Sequence, residues 1–324
     1  MSFLFENNLR IFNEYLAGVK FANGKNSLRL YEPIDYVLSF GGKRIRPVLT
    51  MMAYELFGGT VTDVLPQAAG IEIFHNFTLL HDDIMDNATV RRGRDTVHKK
   101  WNTNTAILSG DAMLILAYKY ITDISAMPNT PISKTAQLLQ SFNKTALSVC
   151  EGQQYDMDFE NRSDVTLAEY FTMIRLKTAV LLAGALEIGA IMADAPATTC
   201  EALYNYGINI GIAFQLQDDL LDLYGNEETF GKKIGNDIIE KKKTFLYLKA
   251  LELIADGAAL RTALQYSDIS AVRSLYESVN IKQHCENEIK HYYNKALEFL
   301  TPLPQNNVLL SLKDLSDKLL LRTL

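Results

Sequence analysis

Two aspartate triplets with the same spacing sit inside strongly apolar stretches, and they limit what this chain can fold into. Asp82, Asp83 and Asp86 lie in "FTLLHDDIMD", and Asp218, Asp219 and Asp222 lie in "IAFQLQDDLLD". On a helix, residues four apart share a face, so Asp82 pairs with Asp86 and Asp218 with Asp222. Like charges one turn apart repel, and buried carboxylates without partners would protonate or destabilise the fold. A single copy reads as a solvated acidic face. Two copies, both embedded in apolar helices, call for cations.

The rest of the chain reads as helical. Apolar residues recur at three and four in "AGIEIFHNFTLLHDDIMD" and "LYNYGINIGIAFQLQDDLLDLYG". Sustained alternation is hard to find, and hairpin dipeptides are scarce. Most of the 8 prolines, Pro33 among them, fall where helices should break. The expected fold is all-α, a single domain over residues 1–324 with roughly ten to thirteen helices, the number that mean helix length allows. No Ser/Gly/Pro-rich linker divides it.

Composition narrows the function. A net charge of -6 with no basic excess argues against nucleic acid. Three scattered cysteines, Cys150, Cys200 and Cys285, fit neither a disulfide framework nor a zinc site, so reduced thiols in a cytoplasmic protein are expected. The start carries Glu6 and no long apolar core, unlike a signal peptide. The most apolar window, Ala179 to Ala193, is short and holds Glu187, which suits a buried helix rather than a membrane span.

Carboxylate-only clusters select hard ions such as Mg²⁺, which takes one or two carboxylates plus substrate phosphates. An oligophosphate held by two acidic clusters through metal ions is therefore expected, with cations nearby. "GGKRIRP" supplies Lys43, Arg44 and Arg46, and "RRG" supplies Arg91 and Arg92. "RLKTAV" puts Lys177 and Thr178 at the head of an apolar helix, and "FGKKIGNDIIEKKKTFL" supplies Lys232, Lys233, Lys241, Lys242 and Lys243. Arginine forks match phosphate oxygens and lysine acts as a mobile point charge.

These segments, with "AILSGDAM" and "KTA", follow in order from Gly41 to Thr244 and resemble the trans-isoprenyl diphosphate synthases, or polyprenyl synthetases. The resemblance implies an isoprenoid synthase fold around a central cavity, usually as a homodimer. It implies three Mg²⁺ ions, with Asp82 and Asp86 binding two, Asp218 the third, and Asp222 helping through water; Asp83 and Asp219 count with the metal-binding set. Arg91, Lys177, Lys232 and Lys242 would clamp an allylic diphosphate. Lys43, Arg46, His75 and Arg92 would hold isopentenyl diphosphate, and Thr178 and Gln215 would face the developing cation. Two positions depart from the family's common pattern: Lys241 and Asn102 stand where many relatives have glycine.

The implied reaction ionises the allylic diphosphate, condenses the cation with isopentenyl diphosphate and eliminates a proton. Phe74 and Phe77 precede Asp82 on one helical face, where bulky rings would floor the product tunnel; the same positions also suit ordinary core aromatics. With Thr78 small at the next position, the resemblance suggests a geranylgeranyl product, with farnesyl close behind. A class I terpene cyclase is the competing enzyme, but "GGKRIRP" provides for a second diphosphate. A silent prenyltransferase subunit would be expected to lack aspartates or arginines that this chain keeps. His81 is expected to orient or pack rather than ligate, His98 to be either a surface residue or a contact near the site mouth, His284 and His291 to be structural, and Trp101 to pack.

Overall fold

The computed structural model describes residues 2–22, 24, 28–125, 131–225 and 234–320, and these are all-α apart from one short hairpin. Lys232 and Lys233 lie outside the described residues. The helices are α1 (Phe3–Gly18), α2 (Leu28–Leu38), α3 (Ile45–Leu56), α4 (Leu65–Met85), α5 (Val97–Lys100), α6 (Thr103–Ile121), α7 (Ile132–Glu160), α8 (Leu167–Ile174), α9 (Val180–Met192) and α10 (Ala197–Tyr224). Then follow α11 (Asn236–Ile239), α12 (Phe245–Leu253), α13 (Ala258–Gln265), α14 (Ile269–Ser278), α15 (Ile281–Phe299) and α16 (Asn307–Leu320). Among the described residues the labels pass the expected thirteen, and they do so even with α5 and α11, of 4 residues each, set aside.

Contacts gather the chain into two compact units, one of Met1–Asn143, Gly184–Glu201 and Pro304–Ser311, the other of Lys144–Ala183, Ala202–Leu303 and Leu312–Leu324. In the first unit α4 is buried along most of its length. One of its faces carries Glu72, His75 and Asn76. Another carries Phe74, Phe77 and His81, whose rings form a column, 5.5 Å between Phe74 and Phe77 and 4.8 Å between Phe77 and His81. Phe142 of α7 closes the column against Phe74 at 5.2 Å. Gly110 of α6 leaves room for the His81 ring, since a Cβ there would lie 2.2 Å from Nε2.

Arg44 sets the entry to α3. It adopts φ 46°, a left-handed conformation unusual for a side chain of this size. Its guanidinium pairs with Glu72, the two side chains being only 6% and 3% exposed, and donates to the carbonyls of Leu38 (2.8 Å) and Phe40 (2.9 Å). Asn76 Nδ2 also donates to Glu72, at 2.9 Å. Removing either ion-pair partner would strand a buried charge, a loss of about 3–5 kcal/mol.

Two local features differ from the sequence expectation. Pro33 lies inside α2 rather than at its end. It stands close enough to the N-terminus that its missing N–H forfeits only the bond to the second residue of the helix. A hairpin pairs Val90 with Asp95 and Arg91 with Arg94. Arg92 (φ 51°) and Gly93 (φ 74°) form its turn, both left-handed as a type I′ turn requires, which the usual Asn-Gly or Asp-Gly signal would not reveal.

In the second unit α10 approaches the α8–α9 segment closely enough to need glycine. A Cβ on Gly207 would sit 2.5 Å from Ala183 Cα, and one on Gly211 would sit 2.5 Å from Ala179 Cα. Helix propensity alone would make Gly211→Ala stabilising by up to ~1 kcal/mol. Overpacking against the neighbouring backbone should reverse the sign, lowering stability by about 1–3 kcal/mol in thermal or urea unfolding. A variant as stable as the parent would show that the helices can part freely.

Candidate active site

The first acidic cluster closes α4. Asp86 is its C-cap, and its N–H donates to the Asp82 carbonyl at 2.8 Å, so the one-turn relation persists to the last residue. The three carboxylates differ in setting: Asp82 is half-buried, Asp83 buried and Asp86 exposed. Asp83 accepts from Arg91 Nε at 2.7 Å. Burial raises the Asp83 carboxyl above its usual range, and Arg91 opposes that shift. The hairpin thus places Arg91 by tying it to the middle aspartate. His98 lies nearby with both ring nitrogens shielded from solvent and, among the described residues, no hydrogen-bond partner; burial lowers its pKa.

Cations collect beside the same helix. Arg46 Nη1 lies 3.4 Å from His75 Nε2. Burial first, then the charges of Arg46, Arg92, Arg91 and Arg44, push the His75 imidazole well below its ordinary pKa. It is therefore neutral at pH 7, an acceptor among guanidiniums rather than one more cation. Arg92 donates to the Gly41 carbonyl, and Lys43 is exposed. Arg44, grouped with these cations by sequence, is used instead by its pair with Glu72. Thr78 is half-buried and its hydroxyl donates to the His75 carbonyl at 2.8 Å.

The second cluster lies on α10. Asp218 is half-buried, while Asp219 and Asp222 are buried at 5% and 6% exposure. Asp222 is tied to the following loop: its Oδ2 accepts from the Asp237 amide at 3.1 Å, and its carbonyl accepts from the Gly235 amide at 2.7 Å. Asp219 has both oxygens engaged. Oδ2 accepts from Tyr170 Oη (2.6 Å) and the Phe245 amide (3.4 Å), and Oδ1 accepts from Gln215 Nε2 (2.9 Å). Asp222 thus has a backbone donor, while Asp83 and Asp219, expected among the metal ligands, accept from protein side chains. Asp83 and Asp219 stand one residue round the helix from the outer pair.

Asp219, Asp222, Asp237, Lys242, Thr244 and Tyr276 line a small cleft. Burial, then the charges of Asp219 and Asp222, raise the Asp237 carboxyl to about 8. Burial likewise lifts Asp219 to about 6 against the hydrogen bonds from Tyr170, Gln215 and Phe245. Burial would lower the Lys242 ammonium, but its bond to Glu240 (2.7 Å) and the charges of Glu240, Asp237 and Asp156 raise it overall.

Lys177 and Thr178 fall not at a plain helix start but in a five-residue π-helical turn, Arg175–Ala179, between α8 and α9. Such turns are rare and cluster at functional sites. This one sends adjacent side chains to different helices. Lys177 Nζ pairs with Asp156 Oδ2 of α7 at 2.5 Å, and Thr178 Oγ1 donates to Gln215 Oε1 of α10 at 3.1 Å. Asp156, Asp237 and Tyr170 were not singled out from sequence. Asp237 sits in a quoted motif, but Asp156 lies 21 positions before Lys177, a separation no local pattern reads.

The departures from the common motif are accommodated. Lys241 adopts φ 56°, the left-handed conformation that glycine holds freely. Asn102 caps α6, its side chain accepting from the Thr105 amide at 2.8 Å. Trp101 stacks edge-on to Tyr36 at 5.2 Å, and His284 and His291 lie on α15. No described helix is long and apolar enough to cross a membrane.

Comparison with known proteins identifies the family. The polyprenyl synthetase family model matches residues 27–280. A geranylfarnesyl diphosphate synthase from Natronomonas pharaonis is 37% identical over 313 residues, covering 91% of this chain and 90% of its own length. A crystal structure of a geranylgeranyl pyrophosphate synthase aligns with a TM-score of 0.90 at 43% identity, covering 99% of each chain. A polyprenyl synthase from Caulobacter crescentus, solved with calcium and isoprenyl diphosphate, aligns at 0.84 and 28% identity over 99% of this chain and 96% of its own. With both aspartate triplets, the arginine pair and the π-turn lysine in the expected segments, this chain belongs to the polyprenyl synthetase family and is a short-chain prenyltransferase.

Proposed function

We propose that the protein condenses isopentenyl diphosphate with an allylic diphosphate (dimethylallyl, geranyl or farnesyl) and releases geranylgeranyl or farnesyl diphosphate. The observation that carries this reading is the division of labour within each triplet. The middle aspartate is held by protein donors, while Asp82, Asp86 and Asp218 stay at least partly accessible.

The donor set fits Mg²⁺. Among the described residues no three carboxylates, imidazoles or thiols are already gathered into a metal cage. Mg²⁺ suits such a place, because it takes few carboxylates and completes its shell with water and phosphate oxygens. Burial, then the charges of Asp219 and Asp222, raise the Asp237 carboxyl, and a cation bound nearby would offset those charges. Asp82 and Asp86 would hold two ions and Asp218 a third, with Asp222 acting through water. Bound there, Mg²⁺ would neutralise the diphosphate and make it a better leaving group.

The chain's own residues do the rest. Arg91, Lys177 and Lys242, with Lys232, grip the allylic diphosphate. Asp83 and Asp156 hold Arg91 and Lys177 in place. Lys43, Arg46, His75 and Arg92 hold isopentenyl diphosphate, and a neutral His75 can orient Arg46 without adding repulsion. Thr178 and Gln215 direct oxygen dipoles at the allylic cation. Holding the two reactants in place removes much of the entropy cost of their union, and apolar walls keep water from the cation. The departed diphosphate accepts the final proton, so no side-chain nucleophile is required.

Phe77, backed by Phe74, sets the length of the product. The aromatic column supports this reading, since each ring rests on the next and the last on Phe142. A homodimer is also proposed. Ile107, Leu108 and Ile115 leave α6 with 41%, 59% and 69% exposure, an apolar stripe of the kind that marks an interface.

Incubation with Mg²⁺, isopentenyl diphosphate and each allylic diphosphate in turn should give products sized by chromatography. Failure to extend any of them would reject the proposal. Asp82→Ala and Asp218→Ala should each lower kcat at least about a hundredfold, since metal-assisted charge stabilisation supplies several kcal/mol. Phe77→Ala should lengthen the product by one or more five-carbon units, and an unchanged product would remove Phe77 as the floor. Ile115→Lys should move the protein from dimer to monomer in sedimentation. A parent chain that sediments as a monomer would exclude the dimer.

A further inference from the structure

Tyr170 is a fully buried phenol that no step above uses. It is 1% exposed, and its Oη donates to Asp219 Oδ2 at 2.6 Å. From there a single file of hydrogen bonds runs to the reacting region: Gln215 Nε2 donates to Asp219 Oδ1 at 2.9 Å, and Thr178 Oγ1 donates to Gln215 Oε1 at 3.1 Å. The Phe245 amide, at the start of α12, gives Asp219 a third donor at 3.4 Å.

The order of donors and acceptors in this file is not arbitrary. A primary amide has one end that donates and one that accepts, and a threonine hydroxyl can satisfy either. Thr178 therefore cannot decide which way the Gln215 amide points. An ionised carboxylate accepts only, so Asp219 draws the NH₂ group to itself and turns the carbonyl oxygen outward toward Thr178. Asp219 is in turn held by Tyr170, which reaches it from α8, and by the Phe245 amide.

We propose that Tyr170 is a positioning residue: acting through Asp219, it fixes the Gln215 amide with its carbonyl oxygen toward Thr178 and the developing allylic cation. The inference rests on the prenyltransferase reading above and extends it to a residue outside the metal and diphosphate sites. With the amide reversed, two N–H dipoles would meet the cation and oppose ionisation. A preoriented dipole needs no reorganisation at the moment of reaction, which is where such groups act most strongly. The phenol ring also packs against Phe171 at 5.6 Å, a contact that Tyr170→Phe retains.

The test is a double-mutant cycle between Tyr170→Phe and Gln215→Ala. Tyr170→Phe alone should lower kcat roughly tenfold and leave both diphosphate KM values within about twofold. In the Gln215→Ala background the same change should have almost no further effect, because the amide it orients is gone. Calorimetric titration of inorganic pyrophosphate with Mg²⁺ should give the same affinity for Tyr170→Phe as for the parent. Should Tyr170→Phe fail to fold, Asp219→Asn takes its place in the cycle with the same expected coupling to Gln215. Equal losses in both backgrounds, an unchanged kcat, or a tenfold weaker pyrophosphate affinity would each overturn the inference. A parent protein that makes no prenyl diphosphate would instead overturn the function on which it rests.

Discussion

Repulsion among carboxylates in an apolar helical protein is the constraint on which the rest depends. Six aspartates in two triplets cannot all stay ionised beside greasy helices without help. The structure helps one member of each from within. Asp83 receives Arg91, and Asp219 receives Tyr170, Gln215 and the Phe245 amide. Of the outer members, Asp86 is exposed, Asp82 and Asp218 are half-buried, and Asp222 accepts from the Asp237 amide; these are the carboxylates proposed to meet ions from solution. Each middle aspartate also holds a neighbour, Asp83 the Arg91 guanidinium and Asp219 the Gln215 amide, the groups proposed to grip a diphosphate and to face the cation.

The cationic side meets the same difficulty with the opposite sign. Burial first, and then the charges of Arg46, Arg92, Arg91 and Arg44, keep the His75 ring neutral. Arg44 is neutralised by Glu72 and anchors the backbone before α3 through the Leu38 and Phe40 carbonyls. The basic run "KRIR" therefore divides into a structural arginine and flanking cations suited to a substrate. α4 carries both duties, with Glu72, His75 and Asn76 on its polar face and the Phe74–Phe77–His81 column on its apolar one.

Much of this was legible in the sequence because it is local. Helical periodicity and the paired triplets depend on spacing within a few turns, and both gave the all-α fold and the candidate carboxylates. What escaped depends on contacts distant in the chain or on backbone geometry. The partnership of Lys177 with Asp156 joins α7 to a π-helical turn. The role of Tyr170 exists only because α8 and α10 pack together. The Arg92-Gly93 hairpin turn and the left-handed Lys241 are conformations that side-chain identity disfavours and the surrounding structure enforces. The separate fates of Arg44 and Arg46 follow from which of them meets Glu72, which no charge pattern discloses.

The most direct test is a crystal structure with Mn²⁺ in place of Mg²⁺, isopentenyl diphosphate, and a thiolo-diphosphate analogue of geranyl diphosphate that binds but ionises slowly. Anomalous scattering should find manganese ligated by Asp82, Asp86 and Asp218, with Asp83 still on Arg91 and Asp219 still on Tyr170. Manganese bound directly to Asp83 or Asp219, or missing from either triplet, would contradict the account.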